Sequence, residues 1–427
     1  MNHTFLPNNK IIGHIGIIII FWILSRIIIH VIINYSDIFM GDSGYYISSG
    51  KSIVDKLPHF FSSELVIQDT FRPPLYSIFT GLLISISESP LFIFIFHSII
   101  HLLFSIFCYI ALNKECEKIS LLSAIAVAVS PFDAIYNTSL LSENIVTPLL
   151  VSSSLLFVFF KSNKSFFLSG MIIGLVVLTK DIYILLPFAF TLIGLIHKKF
   201  STKYLFIYLF GFLIVVMPWM LRNAYLSDNN EAYVSKGIMW PNIWVGTWIR
   251  DHKDTIDASI NKVPEKALNT LNPKLSKEDF FKIWVNRIDN GAFFKDATVT
   301  YLLNNPLDVL DAWVSRYYLL WVGTRSDLSS FNYERYGTEW YAIKYLFYFI
   351  NTLIIILSLL GIYLAMIFKN RILLLCIPVI YSAIIFIPLY NIETRYTQPV
   401  YPILLIFTVF FILRPLHKST QIITPIQ

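Results

Sequence analysis

Charge is what this sequence has least of. Aspartate, glutamate, lysine and arginine make up 14% of its 427 residues, against about a quarter in a soluble globular chain. That scarcity excludes a single large core wrapped in a fully hydrated surface. Cysteine is almost missing as well. Cys108, Cys116 and Cys376 fall in or beside apolar runs with no metal-ligand spacing, which argues against a disulfide framework or a zinc ribbon. Walker A, HExxH and CxxC patterns are absent, and no GxGxxG follows a strand pattern, so ATP-driven transport and zinc hydrolysis lose support. The net charge of +6 does not point to nucleic acid, because the cations cluster in short segments between apolar runs.

Apolar residues are what it has instead: 56% of the chain, with a mean hydropathy of +0.64. Runs long enough to cross about 30 Å of hydrocarbon recur along it. The fold class is therefore an all-α polytopic membrane protein. The first run, Ile11 to Ile33, is too long for a signal-peptide core and lacks a small-residue cleavage site, so it is expected to be retained. Basic residues gather in short segments around Lys10, Lys114, Lys161, Lys198, Lys369 and Arg414. Placing all of them in the cytoplasm requires an even number of spans between neighbouring segments. Most intervals divide in two, at "SPFDAIYNTSLLSE", at "TKDIY", around 222–341 and at "YNIETRY". The first interval holds three apolar stretches, but 75–87 is short and follows Pro73-Pro74, which suits an interfacial or re-entrant helix.

About ten transmembrane helices result, with both termini cytoplasmic. Residues 1–221 form a first transmembrane module whose outer loop, 34–89, carries juxtamembrane helices. Residues 222–341 form a small outer domain, and 342–427 a C-terminal transmembrane module. Asp42, Arg72, Asp133, Glu143, Lys180, Asp181, Arg222, Glu393 and Arg395 then all lie toward the outer side. Ionisable groups at membrane depth are costly and mark pathways or sites, so this set describes a cavity open to the outside. Arg26, inside the first run, is expected to snorkel outward.

Several stretches, in order, carry a resemblance: "GDSGYY", "RPPLYSIFTGLL", "SPFDAIYNTSLLSEN", "GMIIGLVVLTKDIYILLP", "PWMLRNAY", "LLNNPLDVLDAWVSRYYLLW" and "ETRYTQPVYPILL". Together they resemble the polyprenyl-phosphate-sugar-dependent glycosyltransferases of the GT-C class, in particular the protein O-mannosyltransferase-like family and the lipid A aminoarabinose transferases. The resemblance implies a catalytic acid near the start of the first outer loop, and Asp42 holds that position. Ser43 stands where the family often has a second acid.

The residue types suit such chemistry. One positioned carboxylate can take the proton of an acceptor hydroxyl, and cations can stabilise a departing lipid phosphate. Asp42 is the candidate base, or else a loop carboxylate capping local backbone between turn glycines. Arg72 and Tyr76, in "FRPPLY", are candidates for contact with the donor, the arginine alternatively snorkelling to lipid headgroups. Lys180 stands where the family commonly has arginine. It supplies a point charge for phosphate, unless it simply pairs with Asp181. Arg222, Arg395 and Tyr396 are further donor-side candidates, Arg395 alternatively pairing with Glu393. Glu143 and Asp133 could form a second acidic site or hold a divalent metal, or serve a helix N-terminus and a helix end respectively. The tryptophans of 222–341 could stack on sugars or build a small core. Asp308 and Asp311 lie on an amphipathic helix, 306–321, expected to rest on the membrane surface. Gly170 and Gly174, four residues apart, read as helix packing.

The expected activity is transfer of a sugar from a polyprenyl (undecaprenyl) phosphate carrier at the outer face of an inner membrane. Its acceptor would be lipid A or lipopolysaccharide, a surface glycan, or a protein. A flippase for lipid-linked sugar, and a polymerase or ligase using a lipid diphosphate donor, are the competing readings. The asymmetry of the two halves speaks against a transporter built from repeats. No cofactor beyond that metal is implied. A cysteine introduced at position 78 is expected to react with an impermeant thiol reagent only from the outer side; labelling only from the cytoplasmic side contradicts the ten-span arrangement.

Overall fold

The computed structural model describes residues 8–32, 42–56, 71–196, 200–227, 232–236, 239–250, 263, 265–271, 277–285, 291–322, 339–389 and 394–413. Every regular element among them is helical. α1 (Asn8–Ile32) is followed by α2 (Ser43–Lys56), α3 (Pro74–Ile86), α4 (Pro90–Leu112) and α5 (Glu117–Ala128). The short α6 (Pro131–Tyr136), α7 (Glu143–Phe159), α8 (Asn163–Thr179), α9 (Leu186–Ile196) and α10 (Thr202–Leu226) come next. Then come α11 (Met239–Gly246), α12 (Glu265–Leu271), α13 (Lys277–Val285), α14 (Gly291–Asn304) and α15 (Pro306–Tyr317). The chain closes with α16 (Glu339–Ile367), α17 (Cys376–Ile385) and α18 (Tyr401–Leu413), which a 3-10 segment, Thr394–Val400, precedes.

Proline sets several of these starts. α3, α4, α6 and α15 each begin on a proline, whose fixed φ suits the first turn and whose missing N–H costs nothing there. Serines supply caps elsewhere: the Ser130 and Ser162 side chains accept from the amides of Asp133 and Ser165.

Among the described residues, six helical stretches are long and apolar enough to cross a membrane: Asn9–Ile32, Pro90–Leu112, Glu117–Tyr136, Thr202–Leu226, Ala342–Ile367 and Thr394–Leu413. Five shorter apolar ones accompany them: Pro74–Ile86, Glu143–Phe159, Asn163–Thr179, Asp181–Ile196 and Arg371–Ile385. The breaks fall where the polar interruptions in the sequence stand, and α3 is the short helix after the proline pair. The outward faces are apolar, with Ile12, Ile20, Leu103, Phe206, Phe210 and Ile356 all more than half exposed. Such a belt suits hydrocarbon and not water.

Two glycine crossings hold the bundle tightly. A Cβ on Gly170 of α8 would strike the Tyr208 carbonyl of α10, one on Gly174 would lie 2.8 Å from Val215 Cβ, and one on Gly211 would strike the Phe167 carbonyl. α2 and α3 meet through Gly50 and Gly81, where a Cβ on Gly81 would sit 2.7 Å from the Gly50 carbonyl oxygen. Small residues let backbones approach in this way where lipid offers no hydrophobic drive between helices. Beside the α8–α10 crossing, Phe157 packs against Phe166, Phe190 and Tyr208 at ring separations of 5.3, 4.8 and 5.0 Å.

Trp244, Trp248, Phe280, Trp284 and Phe294 form a separate apolar cluster, with Trp240 and Trp313 against its edge. The tryptophans there are packing residues. α15 ends at Tyr317, short of the expected 321, and continues as one 3-10 turn, Tyr318–Leu320. Asp311 pairs with Arg250 at 2.6 Å and Asp308 with Lys266 at 3.4 Å, on the solvated side of the helix. Arg316, on its inner side, is fully buried and donates to the carbonyls of Ala312, Leu389 and Gly246. Burial lowers its pKa to about 10, which still leaves it charged at neutral pH. Through that side chain the tryptophan cluster is tied to the chain just before the 3-10 segment.

Gly170→Leu is expected to destabilise the bundle by more than the roughly 1–3 kcal/mol typical of overpacking, because the obstacle is backbone. Gly13→Ala, where nothing lies within 4 Å, is expected to be neutral. Thermal melts in detergent distinguish the two; equal melting temperatures contradict the crossing.

Candidate active site

Asp42 immediately precedes α2 and its carbonyl accepts from the Tyr46 amide, so the helix begins on the candidate acid itself. Pro73 and Pro74 start α3, leaving Arg72 at the chain turn facing back toward α2. The two side chains meet: Arg72 Nη2 donates to Asp42 Oδ1 at 2.6 Å. Arg72 Nη1 donates to the Tyr46 hydroxyl at 3.3 Å, and the guanidinium lies 5.6, 5.3 and 5.7 Å from the ring centres of Tyr45, Tyr46 and Phe71. The Tyr46 ring stands edge-on to Tyr76 at 4.7 Å. Tyr76 is fully buried. Burial works against the Arg72 cation, but the Asp42 carboxylate and the hydrogen bond to Tyr46 outweigh it and raise its pKa above the ordinary value. Burial likewise raises the Tyr46 phenol. The site therefore presents a permanent cation beside a neutral hydroxyl.

The other side is built by segments far away in sequence. Arg395, on the 3-10 segment, brings Nη1 to 3.6 Å from Asp42 Oδ2. Asp42 thus lies between two guanidiniums. Arg395 Nη2 donates to the Tyr396 hydroxyl at 3.4 Å. Lys180, at the C-terminal end of α8, donates to Glu143 Oε1 at 2.7 Å, and its ammonium lies 5.2 Å from the Tyr396 ring centre. Glu143 opens α7 and is only 4% exposed. The charges of both Lys180 and Arg395 bear on it, which joins the two sides into one cluster. Among the described residues, the cations Arg72, Lys180 and Arg395 there face the carboxylates Asp42 and Glu143, and the charge of Arg72 also bears on Asp181.

Of the residues singled out in the sequence, Asp42, Arg72, Tyr76, Glu143, Lys180, Arg395 and Tyr396 come together. Lys180 does not pair with Asp181, which accepts instead from Ser235; the ammonium reaches the deeper carboxylate. Arg222 is buried, with Nη1 donating to Asn223 Oδ1 at 3.1 Å and its cation 4.9 Å from the Trp219 ring centre. Those contacts belong to the end of α10, where Asn223 and Trp219 donate to the carbonyls of Tyr233 and Val234. Glu393 lies outside the described residues, as do 33–41 and 57–70 of the outer loop.

Asp133 does not join Glu143. It accepts from Gln398 Nε2 at 2.8 Å and has His101 Nε2 at 3.8 Å from Oδ2. Arg26 does not snorkel: it is buried, donating to His101 Nδ1 at 2.8 Å and to the Ala128 carbonyl at 3.4 Å. The head turns inward because the His101 ring nitrogen and the Ala128 carbonyl offer acceptors inside the bundle. Asp42, Glu143 and Asp133 each lie beside a nitrogen partner and not beside one another. Among the described residues no group of three or more His, Cys, Asp or Glu side chains could hold a metal ion. His101 and Gln398 were not read from the sequence. A histidine inside an apolar run was a usable signal for the first; nothing marked the second.

Residues 71–221 match the family model of dolichyl-phosphate-mannose-protein mannosyltransferase. The matched stretch is about a third of the chain. It contains Arg72, Tyr76, Asp133, Glu143 and Lys180, while Asp42 and Arg395 flank it. The chain is also similar to the Archaeoglobus fulgidus oligosaccharyltransferase, whose crystal structure is a complex with Zn and sulfate. That similarity has 13% identity and a TM-score of 0.43, and covers 93% of this chain and 49% of that one. This chain thus spans about half the length of that relative. No curated protein matches it.

Removing one partner of a buried ion pair strands the other charge. Lys180→Met is therefore expected to destabilise the protein by about 3–5 kcal/mol, and Lys180→Met/Glu143→Gln to recover most of that loss. Chemical unfolding in detergent measures both. A double variant no more stable than the single one contradicts the pairing.

Proposed function

We propose that the protein transfers a sugar from a polyprenyl phosphate carrier to a hydroxyl acceptor at the outer face of the membrane. The acceptor would be lipid A or another surface glycan, or a protein, and the membrane a cytoplasmic (inner) one. The observation that carries the reading is the convergence of Arg72, Lys180 and Arg395 beside Asp42 and Glu143. The family model matched by 71–221 supports a lipid-monophosphate-linked sugar as donor as well.

In the chemistry that follows, the donor phosphate binds where Arg72, Lys180 and Arg395 converge. Arg72 and Arg395 are shared between Asp42 and the incoming phosphate oxygens, so donor binding draws the guanidiniums off the carboxylate. Asp42 is then free to accept the proton of the acceptor hydroxyl as its oxygen attacks the anomeric carbon. The bond from that carbon to the phosphate oxygen breaks, and its electron pair leaves on the phosphate. The three cations stabilise the charge that develops there. A single displacement with one base inverts the anomeric centre.

Asp42→Asn keeps the size and the hydrogen-bonding reach of the side chain but removes its basicity. With defined polyprenyl-phosphate sugars and the purified protein in vesicles, it is expected to lower transfer by about a hundred- to ten-thousand-fold while the protein still folds. Undiminished transfer removes Asp42 from the mechanism.

A further inference from the structure

Arg395 reaches Asp42 from a 3-10 segment seven residues long, a weak element that rarely persists without outside support. Something must hold it. Three residues on, Gln398 is buried to 1% and donates to Asp133 Oδ1 at 2.8 Å. A 3-10 helix has three residues per turn, so Gln398 lies one turn along the same edge as Arg395. Asp133 is itself fixed, by the Ser130 cap on its amide and by α6 around it. Behind it, His101 Nδ1 accepts from Arg26 at 2.8 Å. Its Nε2 therefore carries the hydrogen and faces Asp133 Oδ2. Arg26 and the imidazole together offset a carboxylate that is 4% exposed. Next to the anchor, Phe132 stands edge-on to Tyr401 at 5.2 Å, where the 3-10 segment passes into α18.

We propose that Gln398, held by the Arg26–His101–Asp133 chain, is the positioning residue that aims Arg395 at Asp42 and at the donor phosphate. The proposal rests on the donor-binding reading of Arg395 given above. It assigns the buried polar chain, which takes no direct part in transfer, to the precision of the site. Anchoring Arg395 from α6 places its guanidinium relative to Asp42 and Arg72 on the α2–α3 side.

The test uses the full-length protein in vesicles and two readouts. Hydrogen exchange at 394–400 needs no ligand. Gln398→Met, close in volume, is expected to speed exchange there by tenfold or more while the α8–α10 crossing stays protected. The second readout is affinity for undecaprenyl phosphate as a probe. Gln398→Met is expected to weaken it about tenfold, the scale of one charge-assisted hydrogen bond, and to add nothing further in an Arg395→Gln background. Asp133→Asn/Gln398→Glu reverses donor and acceptor but keeps the bond, and is expected to restore both readouts to within about twofold. Unchanged exchange in a folded Gln398→Met protein overturns the proposal, and so does a full additional loss of affinity in the Arg395→Gln background. A wild-type protein that does not bind the probe refutes the donor reading instead, and the exchange result still decides the positioning role.

Discussion

A carboxylate held between two guanidiniums at the edge of an apolar bundle is the constraint on which the rest of this molecule depends. Asp42 has Arg72 at 2.6 Å on one oxygen and Arg395 at 3.6 Å from the other. Charges in such surroundings are tolerable only when compensated within a few ångströms. The same demand recurs one layer in, where Glu143 takes Lys180, and again where Asp133 takes His101 and Arg26. Each carboxylate is served by a cation or imidazole from a distant part of the chain. Satisfying them therefore fixes how the helices assemble. The outer pair remains open to exchange partners, because a phosphate can replace a carboxylate beside a guanidinium.

Rigid elements deliver these groups. The Gly50–Gly81 contact locks α2 to α3, so Asp42 and Arg72 approach from a single unit. The Gly170–Tyr208 crossing seats α8 on α10, and Lys180 projects from the end of α8. Arg316 ties the tryptophan cluster to Leu389, and Thr397 donates to the Leu320 carbonyl at 2.9 Å. The segment bearing Arg395 and Tyr396 is thus held from the bundle and from the tryptophan-bearing part of the chain.

Much of this was legible in the sequence, for physical reasons. A chain this poor in charge shows its apolar stretches plainly, and polar breaks such as "TKDIY" mark where helices end. Asp42, Arg72, Lys180, Glu143 and Arg395 stood out because ionisable residues near apolar runs are costly and few. Which cation meets which carboxylate was not legible. Lys180 is adjacent to Asp181 in sequence, yet it pairs with Glu143, 37 positions away. Arg26 was misjudged because its distance from the interface was readable and its inward acceptors were not. Asp133 and Glu143 lie close in sequence, but Asp133 sits in α6 facing His101 and Glu143 opens α7 facing Lys180. Tryptophan content alone could not separate sugar stacking from a packed cluster; the mutual contacts of Trp244, Trp248 and Trp284 did.

The central claim is that the cations converging beside Asp42 hold a lipid monophosphate-linked sugar while Asp42 takes the acceptor proton. Turnover of paired donors, one linking the same sugar to the same polyprenyl chain through a monophosphate and the other through a diphosphate, tests it most directly. The account predicts that purified protein in vesicles consumes the monophosphate-linked donor and releases the lipid phosphate, with the diphosphate-linked donor left largely intact. Consumption of the diphosphate-linked donor alone would contradict it.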